Sequence, residues 1–113
     1  MTLTDLATRL ELRAFTAGAA TDRPVLGGYA SDLLSDVIGH ARKGDLWVTM
    51  QVHPNIVAVA VLKDLAGIVL VKGREPSPET LEQAEREGVP VLGTGLAAFE
   101  LVGRLYGLGV KGS

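Results

Sequence analysis

Residues 45–72 read DLWVTMQVHPNIVAVAVLKDLAGIVLVK, and this stretch decides the fold. Its first seven residues, Asp45–Gln51, are rich in apolar and β-branched side chains and predict a strand. Pro54 suits the first turn of a helix that runs through Leu65, and Ile68–Lys72 is a continuous apolar run typical of a strand buried on both faces. The order strand, helix, strand predicts parallel neighbours joined by a crossover.

The flanking sequence repeats this alternation of strands and helices. The other predicted elements are a helix over Thr4–Arg9 with Thr4 as N-cap, an extended stretch Leu12–Thr16, a short strand Pro24–Leu26 that stops at Gly27-Gly28, a helix from Ser31 to about Lys43 followed by Gly44, a helix Glu79–Glu87 capped by Ser77-Pro78, a strand Val89–Leu92, and a helix Ala97–Leu108 with Phe99, Val102, Leu105 and Tyr106 on its apolar side. We therefore expect a single α/β domain over residues 1–113. It should be a three-layer α/β/α sandwich around a mostly parallel sheet of four to five strands.

Composition and charge narrow the range of functions. The chain has no cysteine, so disulfides, thiolate catalysis and zinc–sulfur sites are excluded. The net charge is −2, and the eleven Lys and Arg residues are scattered, so the basic surface of a nucleic-acid-binding protein is missing. No segment has the pattern of a signal peptide or a membrane span, and we expect a cytoplasmic protein without membrane contact.

One glycine motif suggests a nucleotide cofactor, but it lacks the required context. Gly93–Ala98 fits the form G-x-G-x-x-A and follows a predicted strand. A dinucleotide-binding unit needs a further strand with an acidic residue about 20 positions later, and too little sequence remains. A phosphate-binding loop of the form G-x-x-x-x-G-K-[ST] is absent. We therefore predict no cofactor.

The predicted topology nevertheless indicates where a binding site should lie. In parallel α/β sheets, ligands bind beyond the carboxyl ends of the strands, beside helix amino ends whose N–H groups are unpaired. The predicted ligand-binding residues all lie in or beside loops at such positions. They are Gly27, Gly28, Ser31, Asp32, Gln51, His53, Asn55, Gly73, Arg74 and Thr94.

Some of these residues allow two interpretations. Asp32 and Asp36 are four apart on a predicted helix and could share a divalent ion, but a solvated pair that complements the helix dipole explains them as well. Lys72, Arg74 and the Gly73 amide could together receive a phosphate, and two solvated charges are the alternative. No metal site is predicted.

Catalysis is a further alternative, and it centres on one histidine. His53 lies at a strand-to-helix turn, where an imidazole could act as a general base or could simply cap the helix. No neighbouring nucleophile is evident, so we predict that the chain is not an enzyme. The nearly unbroken apolar character of the helix Asn55–Leu65, and the apolar surplus of the last helix, favour either burial in the sandwich or a homodimer.

Most of the chain resembles a DRTGG domain. The segments that carry the resemblance are Asp22-Arg23, Gly27-Gly28-Tyr29, Ser31–Val37, Lys43–Thr49, Gln51, His53–Ala60, Leu65–Ile68, Gly73–Pro76, Thr94 and Phe99-Glu100. The threonine expected after Arg23 is replaced by Pro24. The domain type is similar to the N-terminal domain of HPr kinase/phosphorylase, and Ser35–Val48 faintly resembles the nucleotide-sugar-binding domains of Mur ligases.

This resemblance implies a regulatory role as a companion of other modules. We therefore expect a non-catalytic regulatory or ligand-binding module that senses a small anionic or nucleotide-like ligand and forms a homodimer or docks a separate protein partner. A pure protein-interaction dimer without ligand is the alternative. A small hydrolase or transferase that uses His53 ranks last.

Overall fold

The computed structural model describes residues 1–112 and contains ten elements of secondary structure. In chain order they are α1 (Leu3–Leu10), β1 (Arg13–Ala14), β2 (Gly27–Ala30), α2 (Leu34–His40), β3 (Asp45–Thr49), α3 (Asn55–Lys63), β4 (Gly67–Leu70), α4 (Pro78–Glu87), β5 (Val91–Gly93) and α5 (Ala98–Gly107). The strands form one five-stranded sheet in the order β1-β5-β4-β3-β2. Four strands are parallel, and β1 pairs antiparallel with β5.

The sheet has helices on both faces, which confirms the predicted three-layer α/β/α sandwich. Side chains alternate along β3, so that Trp47 enters the core with α2, α3 and α4, whereas Leu46 and Val48 enter the core with α1 and α5. Strand β4 alternates in the same way, with Ile68 and Leu70 on one side. The central strands therefore bury both of their faces, as the continuous apolar runs predicted.

The first helix begins one residue earlier than predicted, and its cap is Thr2 rather than Thr4. The Thr2 hydroxyl accepts a hydrogen bond from the Asp5 N–H at 3.1 Å, and the Asp5 carboxylate accepts one from the Thr2 N–H at 2.9 Å. This reciprocal pair is a capping box. Thr4 instead lies inside the helix, and its hydroxyl contacts Thr21.

The prediction for residues 24–31 is wrong, because the strand follows Pro24, Val25 and Leu26 rather than coinciding with them. Strand β2 is Gly27–Ala30, which was expected to be a loop, and it pairs in register with Asp45–Val48. Gly28 lies against the end of the described chain: a Cβ atom built on it would lie 3.4 Å from Val110 Cγ1, an ordinary van der Waals distance. Its N–H donates to the Lys111 carbonyl at 2.9 Å, so residues 110–112 cover this edge of the sheet.

Helix α2 is shorter than the predicted segment 31–43. It begins after Leu33, because the Ser31 hydroxyl accepts from the Leu33 N–H two residues later and holds the preceding backbone in a turn. It ends at Ala41, whose backbone is extended. Gly44, with φ of 85°, therefore forms the turn into β3 instead of ending the helix.

The remaining elements agree with the prediction within a few residues. Ser77 caps α4 by accepting from the Thr80 N–H, and Gly88 ends it in the left-handed conformation. Within residues 1–112, no helix combines the length and apolar character needed to span a bilayer.

Helix α5 buries only part of its predicted apolar side. Leu101 and Leu105 are buried against the sheet, whereas Phe99, Val102 and Tyr106 are exposed to 90%, 39% and 58%. Of the four residues predicted as one apolar side, only Leu105 therefore belongs to the core.

Gly67 offers a test of the packing between the sheet and α1. A Cβ atom at Gly67 would lie 2.8 Å from Leu3 Cδ2 and 3.2 Å from the Pro90 carbonyl oxygen, so Gly67→Ala should lower the free energy of unfolding by about 1 to 3 kcal/mol. Gly39→Ala is the matched control, because it lies in α2 with open space around it and should be neutral or stabilising by up to about 1 kcal/mol. Urea denaturation measures both, and equal effects would contradict this packing.

A hydrogen bond between Tyr29 in β2 and Asp36 in α2 attaches this helix to the sheet, and the pKa of Asp36 reports on that bond. The Tyr29 hydroxyl donates to the Asp36 carboxylate at 2.8 Å, and this bond, with further contributions from Ser31 and His40, lowers the pKa of Asp36. Stability gained this way is present above the pKa of the unfolded chain and is lost as pH falls through the lower folded pKa. Tyr29→Phe should raise the pKa of Asp36 in a carboxyl NMR titration, whereas Tyr106→Phe should leave it unchanged.

Candidate functional site

The loops that follow the four parallel strands meet at one edge of the sheet and enclose a cleft of about 380 Å³. We call this cavity the strand-end cleft. Its walls come from the ends of β2, β3 and β4 and from the amino end of α5. The lining residues are Ala30, Ser31, Asp32, Val48, Thr49, Met50, Val71, Lys72, Ala97 and Ala98.

Asp32 connects the ends of two strands at the rim of this cleft. Its Oδ1 accepts from the Thr49 hydroxyl and from the Met50 N–H, both at 2.7 Å. Its carbonyl oxygen accepts from the Gln51 side-chain amide at 3.1 Å. No described residue bonds to Oδ2, so that oxygen is available to accept a hydrogen bond from a ligand.

The opposite wall carries hydrogen-bond donors. Helix α5 begins without a side-chain cap, and within residues 1–112 the N–H groups of Ala98, Phe99 and Glu100 have no acceptor. Lys72 lies beside them on the cleft wall and forms no ion pair with the described part of the chain. Unpaired N–H groups and an ammonium together favour an anion at this wall.

The backbone of Lys72 is in the left-handed conformation, with φ of 58°. A non-glycine residue there costs about 1 to 2 kcal/mol relative to the ordinary helical region. The conformation is held by two loop bonds, from the Lys72 N–H to the Leu96 carbonyl and from the Gly73 N–H to the Thr94 carbonyl. A strained residue that lines a cleft is a frequent feature of functional sites.

A second, apolar groove continues from the strand-end cleft. It is bordered by Ala30 and Ala98, which both cavities share, and by the exposed side of α5 with Phe99, Val102, Gly103 and Tyr106. Its volume is about 660 Å³. We call it the α5 groove. A polar cleft that opens into an aromatic groove suits a ligand with a charged end and a flat apolar end.

The predicted site residues are distributed over four regions. Ser31 and Asp32 line the strand-end cleft, and Gly73, Arg74 and Thr94 lie in a separate cavity of about 210 Å³ beside β1. Gln51, His53 and Asn55 follow β3 at the same edge of the sheet but do not line the strand-end cleft. Gly27 was misplaced, because it pairs with Asp45 at the opposite, amino ends of the parallel strands, and Gly28 is covered by residues 110–112.

The hydrogen bonds bear on three features that had allowed two interpretations each: His53, the loop with Gly73 and Arg74, and the pair Asp32 and Asp36. The Nδ1 atom of His53 accepts from the Asn55 N–H at 3.1 Å, so the imidazole caps the start of α3. The Gly73 N–H donates to Thr94, which leaves it unable to receive a phosphate with Arg74. Asp32 and Asp36 have separate hydrogen-bond partners, and within residues 1–112 no group of three or more potential ligand side chains could hold a metal ion.

Several residues that line the cleft were not among the predicted site residues. Thr49, Val71 and Ala98 were passed over because they are small or apolar and carry no chemical signature of their own. The signal that identifies them is topological: each lies where a parallel strand ends or where the last helix begins.

Asp32 supports a prediction about the rim of the cleft. Asp32→Ala removes the acceptor of two charge-assisted hydrogen bonds, and we expect a loss of about 1 to 2 kcal/mol in the free energy of unfolding, after allowance for its exposure. Asp22→Ala is the control, since Asp22 is also an exposed loop aspartate, and it should change stability by less than about 0.5 kcal/mol. Equal stability of the two variants would show that Asp32 does not join the strands.

Two comparisons with known proteins bear on this site, and no curated protein matches the sequence. The first is structural: the CBS and DRTGG domains of the regulatory region of Clostridium perfringens pyrophosphatase, solved as a complex with the activator diadenosine tetraphosphate. The TM-score is 0.67 at 15% sequence identity, and the match covers 89% of this chain but 44% of that one. At this identity the match establishes a shared fold.

The second comparison is with family models of sequence. The model of the DRTGG domain matches residues 25–108, which include every strand of the parallel part of the sheet and helices α2 to α5. The resemblance noted from the sequence is thereby confirmed over most of the chain, despite Pro24 in place of the expected threonine. This chain belongs to the DRTGG domain family.

Proposed function

We propose that this chain is a non-catalytic regulatory module that binds a small anionic, nucleotide-like ligand in the strand-end cleft. The observation that carries the proposal is Lys72, a lysine held in the left-handed conformation on the wall of that cleft. Glycine would adopt this backbone without strain, so the position sacrifices stability to present an ammonium group.

The two walls of the cleft complement different parts of such a ligand. Lys72 and the amino end of α5 would bind a phosphate or carboxylate, because both present donors and positive charge. The free Oδ2 of Asp32 would accept from a hydroxyl or amino group on the opposite side. A ligand that satisfies both walls therefore needs an anionic group for the donors and a hydroxyl or amino group for the Asp32 acceptor.

The α5 groove would accommodate the flat part of a nucleotide-like molecule. Phe99 and Tyr106 present aromatic surface there, and base–aromatic stacking typically contributes about 1 to 3 kcal/mol per base. The cleft and the groove have volumes of about 380 Å³ and 660 Å³, which fall within the range of small-molecule sites.

The position of His53 argues against the hydrolase or transferase alternative. A general base has to reach the reacting group, and His53 caps α3 without lining the cleft. The cleft itself contains a carboxylate, two hydroxyls and an ammonium. The described hydrogen bonds join the Thr49 hydroxyl to the Asp32 carboxylate, and none of them pairs a nucleophile with a histidine.

The solved neighbour supports regulation as the type of role. That structure is the regulatory region of a pyrophosphatase with a nucleotide activator. This chain corresponds to less than half of it, so we take from it the class of function and not the position of the ligand. Docking of a separate protein partner and a cytoplasmic location stay predictions.

Assembly with a second copy of the chain is a second candidate function. It is favoured by the exposed aromatic face of α5. The long apolar helix α3 does not need a partner to explain it, because Ile56, Val57, Val59 and Ala60 are buried within the sandwich.

Thermal-shift measurements with inorganic phosphate, pyrophosphate and the adenine and uridine nucleotides test the proposal. A compound at about 100 times its Kd adds about 2.7 kcal/mol to the stability of the folded state and must raise Tm. Lys72→Gly should raise Tm without ligand, by relieving the backbone strain, and should reduce the ligand-induced shift. Lys43→Ala is the control and should keep the full shift.

Two results would contradict the proposal. One is the absence of any stabilising compound at millimolar concentration. The other is a full ligand-induced shift in Lys72→Gly, which would move the binding site away from the strand-end cleft.

A further inference from the structure

The cavity beside β1 is separate from the strand-end cleft and has its own chemistry. We call it the β1 cavity; its volume is about 210 Å³. One wall comes from residues 11–15, and the other comes from the loops that follow β4 and β5. It shares no lining residue with the strand-end cleft or the α5 groove, so a molecule bound here would not be the ligand proposed above.

The aromatic part of the β1 cavity is fixed by its contacts with β5. A Cβ atom on Gly93 would lie 2.5 Å from Phe15 Cε2 and 3.0 Å from Phe15 Cζ, so a side chain at position 93 would displace the ring. The Phe15 N–H donates to the Val91 carbonyl at 2.9 Å, and the hydroxyl of buried Thr16 accepts from the Val91 N–H at 3.2 Å. This wall is therefore in place without a ligand.

The charged side chains of the β1 cavity fall into a paired and an unpaired group. The Arg13 guanidinium is already occupied, because it lies 4.7 Å from the centre of the Phe15 ring and 3.8 Å from the Glu75 carboxylate. Arg74 and Glu11 differ, since neither side chain forms an ion pair or a hydrogen bond with another residue among 1–112. The cavity therefore presents one unpaired cation and one unpaired carboxylate.

Arg74 and Thr94 together suit a carboxylate. The Arg74 N–H donates to the Val71 carbonyl at 3.1 Å, which holds the loop, and the planar guanidinium can donate to both oxygens of a carboxylate. The Thr94 hydroxyl oxygen accepts from the Leu96 N–H at 3.2 Å, and its proton has no acceptor in the described part of the chain. Both residues can thus donate to the same anionic group.

Glu11 supplies the opposite charge from the other wall. It ends α1 in the left-handed conformation with φ of 53°, and its backbone N–H bonds to the Ala7 and Thr8 carbonyls of that helix. The position of this residue is therefore set by its backbone, while the carboxylate stays available. An ammonium group is the natural partner of such a carboxylate.

This charge balance favours a zwitterion over a phosphate. A phosphate bound to Arg74 would share a small cavity with the carboxylates of Glu11 and Glu75, and like charges repel. The volume equals that of about seven water molecules at ~30 Å³ each, which indicates a ligand of about that many non-hydrogen atoms or a few more. An α-amino acid has this size and carries a carboxylate and an ammonium on one carbon.

We infer that the β1 cavity binds a free α-amino acid, with its carboxylate on Arg74 and Thr94, its ammonium on Glu11 and its side chain against Phe15. The aromatic ring favours an aliphatic side chain. Open space at Gly95, where no atom lies within 4 Å of a Cβ position, gives that side chain room. The inference does not depend on the proposed function, because the two sites have no residue in common.

NMR titration of the ¹⁵N-labelled chain with each of the standard L-amino acids tests this site. At least one aliphatic amino acid at millimolar concentration should give saturable shifts of the amide signals of residues 11–15, 73–75 and 93–95. The amide and the N-acetyl derivative of the best binder should each bind about tenfold more weakly or worse, because each lacks one charged contact. Equal binding of the N-acetyl derivative would instead indicate a site for simple carboxylates or for peptide carboxyl ends.

Two variants test which wall binds which group. Arg74→Gln and Glu11→Gln should each lower the affinity for the amino acid by about tenfold or more. Glu11→Gln should no longer distinguish the amino acid from its N-acetyl derivative, and Arg74→Gln should no longer distinguish it from its amide. Arg104→Gln and Glu87→Gln, exposed helix residues outside the cavity, are the matched controls and should keep the wild-type affinity.

Three results would overturn the inference: no response to any amino acid of the panel, undiminished binding of the amide or the N-acetyl derivative, or wild-type affinity in both cavity variants. Nucleotide binding is read from other signals, those of residues 31–32, 49–50, 72 and 97–98 around the strand-end cleft. Shifts in one set of signals without the other therefore reject one proposal and leave the other standing.

Discussion

The burial of the central strands on both faces is the constraint on which the rest of this structure depends. Leu46, Trp47 and Val48 are all buried, and alternate residues serve two different cores. A sheet of this kind has to be covered on both sides, so helices occupy both faces and the loops are left at its two ends. The strand-end cleft is a consequence, since four parallel strands deliver their following loops to one edge.

The central elements were predictable from local sequence because several independent signals coincide there. The apolar run Ile68–Val71 indicated a doubly buried strand, and Ser77, Pro78 and Gly88 marked both ends of α4. Helix caps and hydrophobic periodicity depend on residues that are close together in the chain, so both can be recognised in a single sequence.

The failures concern residues whose role is set by distant parts of the chain. Gly28 was interpreted as a loop residue, but it lies in β2, where its N–H donates to the Lys111 carbonyl, more than 80 positions later. The four apolar residues of α5 were predicted as one side, because periodicity identifies apolar positions without showing which of them meet the sheet. The strand-end rule placed Ser31, Asp32, Gly73 and Thr94 at the carboxyl-end edge of the sheet, where the structure has them, yet it could not show that they line two separate cavities.

The two edge strands of the sheet determine how readily the domain could aggregate through strand pairing. On one side, β1 has only two residues; on the other, the backbone of residues 110–112 covers part of β2. Long exposed edge strands recruit other chains into fibrils. Here β1 is too short for such pairing and β2 is partly covered. The domain therefore offers little exposed strand edge for amyloid-like stacking.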